Sequence, residues 1–339
     1  MNKKFLATAS IAVTFCCSMA NCSTGDGDKN EPDKPDTEIP GESDGPGTDT
    51  PDDKDPYEFK GSMQADAKLV GQDYKAIHQY MRGFGWDYSE HPNSSEKDHH
   101  DGVHAAVVYD EAIGQYVFRF FNHANADVLD GDRGSIVDRQ RNEMKSQTSD
   151  KWLHLNGNWG ERQRLKWKFK LPAGFRPSTS FCHIHQLKAQ EGNNGAPLIT
   201  ITPRCNADGS NKRLQVIHTG DVSATTKGTI IDNLPFSDFE DQWIEVTTEM
   251  LYTHNGKFSI RMERVSDGKV LVDKSFDDID LWRSGAKNIR NKFGIYRSFG
   301  KKMSSASDRP VNGIKDESID LADFRVYEAD TNPDPQIHD

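Results

Sequence analysis

The 339-residue sequence predicts an all-β protein, a jelly roll of two packed sheets carried behind a disordered N-terminal tether. Two observations lead there. Period-2 alternation of apolar and polar residues runs through segment after segment, among them "HAAVVYD", "RLKWKFKLP", "PLITITPR", "KFSIRMERV" and "SIDLADFRVYE". Gly, Pro, Asn and Asp clusters separate these segments, and helical periodicity shows only weakly, near residues 64–81. Many short strands with regular turn signals make a sandwich or jelly roll rather than a helical or α/β fold.

The first residues read as a targeting signal. Lys3 and Lys4 precede an apolar run from Phe5 to Phe15, followed by small residues and Met19-Ala20-Asn21-Cys22. That run is too short to span a bilayer and reads as a secretory signal peptide, residues 1–21. Its ending resembles a bacterial lipobox, which implies lipidation at Cys22 and an outer-membrane lipoprotein. Residues 22–56 are acidic, with almost nothing apolar to bury, and should form an extended tether. An acidic stretch behind the lipidated cysteine resembles the surface-export signal of Bacteroidetes lipoproteins and implies exposure at the cell surface. The tether carries a net −9. Removing it and the two signal lysines from the whole-chain −11 leaves −4 for residues 57–339. That near-balance, together with the export signal, argues against a nucleic-acid partner. Residues 57–339 fit a single large β domain, expected to be a monomer.

One hairpin carries two histidines. "CHIHQLKAQEGNNGAPLITITPRC" folds back about Asn193-Asn194, which sets Cys182 against Cys205 in reach of a disulfide. The same register sets His183 against Arg204 and His185 against Thr202. Regular alternation buries Cys182 and Ile184 and turns His183 and His185 to the other face, with Arg204 beside them. The strand "ERQRLKWKFK" directs Leu165, Trp167 and Phe169 one way and Arg162, Arg164, Lys166, Lys168 and Lys170 the other. Five cations on one face could line a polyanion groove, but the solvated outer face of a sandwich is the favoured reading.

Three strand segments suggest chemistry. In the first, Arg139, Arg141 and Glu143 share a face; the second is His183-Ile184-His185; in the third, Lys292, Gly294 and Tyr296 share a face. An arginine, an imidazole and a phenol on one sheet suit proton abstraction beside a carboxylate. Cleaving a 4-linked uronic acid by β-elimination removes the C5 proton while the C6 carboxylate is neutralised, and a proton is delivered to the departing O4. Histidine suits the base and tyrosine the acid or base, with no cofactor required.

These segments resemble the signatures of jelly-roll polysaccharide lyases, chiefly alginate lyase family 7, whose patterns are R-(S/T)-E-L, Q-(I/V)-H and Y-F-K-A-G-x-Y-x-Q. "RNEM", "HIH" and "NKFGIYRS" occur in that order, and "KFGIYR" is also close to heparin lyase I and glucuronan lyases. The resemblance implies a concanavalin-like sandwich that cleaves alginate, glucuronan or a glycosaminoglycan. It gives Arg141 to the uronate carboxylate with Glu143 holding it. His185 and Tyr296 take the catalytic positions, and Lys292 contacts substrate; Arg139, on the face of Arg141, is expected to bind substrate as well. His183 stands where the family has glutamine. A protonated His183, or Arg204 beside it, would then neutralise the carboxylate. Gln186 is expected on the opposite face.

Other readings are weaker. A cupin metal site fails on spacing, since five residues separate His185 from Glu191 and Pro177 replaces a glycine. The acidic run from Asp127 to Gly134 offers at most a structural calcium site. A retaining glycosidase needs two carboxylates about 5–5.5 Å apart, and no E-x-D-x-x-E strand supplies them. The alternative to an enzyme is a surface glycan-binding lipoprotein using Trp152, Trp159 or Trp282 as platforms.

Overall fold

The computed structural model describes residues 55–92, 102–124, 127, 138–221, 227–299 and 313–329. The signal peptide, Cys22 and the tether up to Lys54 lie outside the described residues. In the compact unit Lys54–Asp339, sixteen described strands form two antiparallel sheets of eight.

The first sheet contains β1 (Tyr57–Met63), β3 (Ala105–Asp110), β4 (Gln115–Asn122), β7 (Arg162–Lys170), β12 (Trp243–Leu251), β13 (Gly256–Arg264), β14 (Val270–Ile279) and β16 (Glu317–Ala329). Its order is β14-β13-β12-β7-β16-β4-β3, with β1 beside β16. The second contains β2 (Trp86–Glu90), β5 (Arg139–Ser146), β6 (Asn156–Gly157), β8 (Cys182–Gln190), β9 (Ile199–Arg204), β10 (Arg213–Thr219), β11 (Lys227–Pro235) and β15 (Asn288–Ser298). Its order is β11-β10-β9-β8-β15-β5-β2, with β6 beside β15. The expected all-β jelly roll is the observed fold.

Alternation decides which faces meet. In β7, Leu165, Trp167 and Phe169 are fully buried, and across the pairing with β12 they stand beside Thr248, Val246 and Ile244. From the second sheet, Phe293 approaches Trp167 edge-on at 4.8 Å and also meets Trp86 and Phe324. Each such aromatic buries about 150–250 Å², worth roughly 4–6 kcal/mol as an upper bound before ordering entropy.

The cations of β7 take the outer face of the first sheet, as favoured. Arg164 pairs with Glu249 and Asp55, Lys168 with Asp323 and Glu245, and Lys170 with Asp110 and Asp241. The weak helical stretch becomes a 3-10 turn, Ala67–Leu69, and one helix, α1 (Tyr74–Arg82). Asp73 caps α1 by accepting from the Ala76 amide, while Ile77 and Met81 bury its apolar side.

The hairpin register differs by one residue from expectation. His185 pairs with Ile201, Gln186 with Thr200 and Leu187 with Ile199. Glu191 and Gly192, both at positive φ (65° and 57°), turn the chain earlier than Asn193-Asn194 would. The slip separates the cysteines. Cys205 lies beyond β9 with its thiol on the Pro177 carbonyl, while Cys182 stands in β8 opposite Arg297. Both are buried free thiols, which corrects the expected Cys182–Cys205 disulfide, and burial pushes Cys182 up to about 12.

Candidate active site

Strands β5, β15 and β8 are neighbours in the second sheet. Tyr296 opposes Arg141 across one pairing and His183 across the other, so the three form a row. Flanking residues Gln140, Asn142, Ile295 and Arg297 are buried, whereas Arg139, Arg141, His183 and Tyr296 are half-buried on the outward face.

Two cations surround the phenol. The Arg141 guanidinium lies 4.4 Å from the Tyr296 ring centre, and Arg139 Nη1 donates to the Tyr296 hydroxyl at 3.2 Å. Both stabilise negative charge on that oxygen. Arg141 is steered by Glu90, whose Oε2 accepts from Nη1 at 2.7 Å.

His183 lies beside the phenol, with ring centres 6.1 Å apart, and stacks on Phe181 at 5.1 Å. Its Nδ1 is 2.8 Å from Thr202 Oγ1, and that hydroxyl donates onward to Thr200 Oγ1. Thr202 therefore accepts from an Nδ1–H, which leaves Nε2 of His183 as the basic nitrogen. Burial first, then Arg204, Lys292 and Lys188, lowers His183 to about 3, so the imidazole is neutral at neutral pH.

His185 does not join the row. It is fully buried, stacked on Phe293 at 4.7 Å and tilted against Trp167 at 5.4 Å, with a long 3.4 Å contact to Asn291 Oδ1. Burial lowers it to about 4. This corrects its expected catalytic position. The cause is a break in strand alternation. Phe293 pairs with His185 and Tyr296 with His183, so two residues of β15 face Ile184 alone. Ile184 and His185 consequently both point inward, and Gln186 returns to the outward face.

Gly294 makes the break possible. At φ 142° it opposes Glu143, and a Cβ there would fall 2.1 Å from the Asn142 carbonyl oxygen.

Behind the row, Glu143 is fully buried, pairs with Lys292 Nζ at 3.0 Å and accepts from the Gln186 amide. Glu143 therefore holds Lys292 and Gln186, and Glu90 takes the expected role of steering Arg141. Glu90 also pairs with Lys292 and, at 3.0 Å, with Lys145. Burial raises its carboxyl, but Lys292, Arg141 and Lys145 outweigh that and hold it well below the usual range. Lys188 is lowered to about 8, by burial and then by Lys292, Arg283, Arg141 and Arg290. This face of the sheet is electropositive. Arg204 closes β9 near His183, its guanidinium lowered by burial and by Arg213.

Sequence reasoning missed Glu90 and Lys188, and it set Gln186 on the opposite face, which its bond to Glu143 corrects. Glu90 ends the short alternating strand "WDYSE", which was a usable signal; the outward turn of Gln186 depends on the break in β8. The candidate sugar platforms do not stand on this face as free rings. Trp152 and Trp159 pack against the core, and Trp282 is buried with its ring edge-on to Trp159. Of the acidic run considered for calcium, only Asp127 is described, and its carboxylate is engaged by His104, His123 and Gln140; the rest lies outside the described residues.

No protein-family model and no curated protein matches the chain. Among solved structures it is similar to an alginate lyase from Klebsiella pneumoniae, at 11% identity and TM-score 0.43, over 65% of this chain and 83% of that one. A family 7 alginate lyase, A1-II', in complex with substrate is similar at 12% identity and TM-score 0.41, over 66% and 81%. An alginate lyase from Pseudomonas aeruginosa gives 15% identity and TM-score 0.39, over 68% and 88%.

Proposed function

We propose that this chain is a polysaccharide lyase that cleaves a uronic-acid polysaccharide by β-elimination. The observation that carries the reading is the row Arg141–Tyr296–His183 across three adjacent strands. A uronate lying over the row would place its C6 carboxylate against Arg141 and Arg139, which neutralise it as charge develops. Nε2 of neutral His183, or the Tyr296 oxygen as phenolate, takes the C5 proton. The C5–H electron pair becomes the C4–C5 double bond, and the C4–O4 bond breaks. A proton from the Tyr296 hydroxyl, or from the imidazolium formed on His183, caps the departing oxygen. Lys188 and Arg204 extend the positive face for neighbouring acidic sugars, while Lys292 is buried between Glu90 and Glu143. Alginate, glucuronan and a glycosaminoglycan all carry the required 4-linked uronate. The resemblance of residues 19–22 to a lipobox, and the acidic stretch behind Cys22, support a surface-tethered lipoprotein as the setting.

The test incubates the full chain with a panel of uronate polysaccharides and follows near-ultraviolet absorbance from the new double bond. The lyase reading requires a rise that is lost in Tyr296→Phe and His183→Ala. Saturable glycan binding with no absorbance rise on any uronate would replace it with the glycan-binding alternative.

A further inference from the structure

Away from the row, a second cluster of chemically capable side chains sits at one end of the sandwich. His104 immediately precedes β3, His123 immediately follows β4, and Asp127 lies on the path from β4 to β5. The Phe121 amide donates to the His104 carbonyl, which brings the two histidines side by side with ring centres 5.1 Å apart. Asp127 Oδ1 stands between them, 2.6 Å from His104 Nε2 and 2.9 Å from His123 Nδ1. All three candidate ligand atoms lie within 4.8 Å of one another.

The carboxylate is oriented from behind. Its other oxygen, Oδ2, accepts from the His123 amide at 2.7 Å and from Gln140 Nε2 at 2.8 Å. Gln140 is itself gripped by Arg297, which donates to Oε1 from Nε at 3.0 Å and Nη2 at 2.8 Å. One carboxylate oxygen is thus anchored while the other is directed at two imidazole nitrogens, the arrangement by which outer groups orient a metal ligand. His104 and Asp127 are wholly buried, and His123 keeps 22% of its side chain exposed, which supplies an entry path.

We propose that His104 Nε2, His123 Nδ1 and Asp127 Oδ1 bind one divalent transition-metal ion of the zinc class, as a structural site. Two imidazoles and one carboxylate are a ligand set suited to such an ion and poor for calcium, which prefers six to eight oxygens. Bonds of about 2.0–2.2 Å in a tetrahedron put ligand atoms roughly 3.3 Å apart. The two contacts at 2.6 and 2.9 Å therefore need to open by less than an ångström each. A solvent molecule would complete four-coordination. The bound ion would clamp the β3–β4 edge of the first sheet to Gln140 of β5, directly behind Arg139 and Arg141. The site differs in place and chemistry from the elimination row and is independent of it.

The experiment uses the full chain without a polyhistidine tag, stripped with chelator and titrated with Co²⁺, then Zn²⁺. The expected result is one Co²⁺ per chain, with the visible absorption of four-coordinate cobalt displaced by one Zn²⁺, and a rise in Tm on loading. His123→Ala, chosen because that ring is partly exposed, and Asp127→Asn should each abolish the band and the Tm rise. Absence of saturable binding at micromolar metal overturns the proposal. So does a band that persists in both variants, since the ligands would then lie elsewhere.

Discussion

The guanidinium of Arg141 lies over the Tyr296 ring, 4.4 Å from its centre, because β5 and β15 pair those two residues directly. One side chain that can bind a carboxylate is thereby stacked on another that can move a proton. Removing the hydroxyl alone should separate the two roles. Tyr296→Phe keeps the stacking and is expected to lower kcat by about 10²- to 10⁴-fold, the usual worth of a general acid or base. KM should change little and Tm should hold. A variant with near-normal kcat would remove Tyr296 from the chemistry.

The two histidines should fail differently. His183→Ala is expected to abolish turnover with a small effect on stability. His185→Ala removes a ring packed between Trp167 and Phe293 and should cost about 2–4 kcal/mol in urea unfolding. The folded His185→Ala enzyme should retain measurable turnover. If instead His185→Ala is stable and dead while His183→Ala is active, the assignment of the two rings is reversed.

Both histidines also set a pH dependence of stability. Well above pH about 6.5 they are neutral in the folded and unfolded chains and contribute no slope. As pH falls below that, unfolded imidazoles take protons that the folded ones refuse until about 4 for His185 and about 3 for His183. Stability therefore falls as pH drops through this window. Urea midpoints measured between pH 7 and 4.5 should show the decline, with a shallower slope in His185→Gln. Equal slopes in the two proteins would count against the burial of an unprotonated ring.

Gly294 is expected to tolerate no side chain. In Gly294→Ala the new methyl would meet the Asn142 carbonyl at 2.1 Å in a backbone with φ 142°, a cost of about 2–3 kcal/mol or more. Because Gly294 opposes Glu143 and lies two residues from Tyr296, the shift should reduce kcat as well as Tm. Normal values for both would show that the strands do not approach so closely.

Glu90 pairs with Arg141, Lys145 and Lys292, cations of the face that the proposed function gives to an anionic substrate. In Glu90→Gln those cations lose their shared counter-charge, and KM for a polyanion should drop by roughly threefold to tenfold at low salt. The advantage should vanish near 1 M salt, where screening reaches about 3 Å. A KM insensitive to salt in both proteins would argue against the electropositive face.

Much of this was legible in the sequence. The strict period of β7 announced a sandwich strand and identified its core and solvent faces, because one buried face fixes alternation strongly. Arg141 and Tyr296 were correctly placed on one face because β5 and β15 alternate without interruption there. The histidines were not, because β15 carries one residue more than β8 between the pairs Phe293–His185 and Tyr296–His183; its only mark in the sequence is Gly294, on the neighbouring strand, and Ile184 is as apolar as a regular strand residue would be. The hairpin slip that parted Cys182 from Cys205 arose likewise from Glu191 adopting a positive φ, which its residue type does not announce. Glu90 acts on Arg141 from 51 positions away, a relationship that only sheet order creates.

The neutralised lysines and arginines of β7 have a consequence for how such a molecule would behave on a long acidic fibre. Arg164, Lys168 and Lys170 are already matched by local carboxylates, so these three cations have little free charge to offer an acidic polymer. Under the proposed function, an acidic strand is therefore expected to settle over Arg141, Tyr296 and His183 rather than over those matched cations.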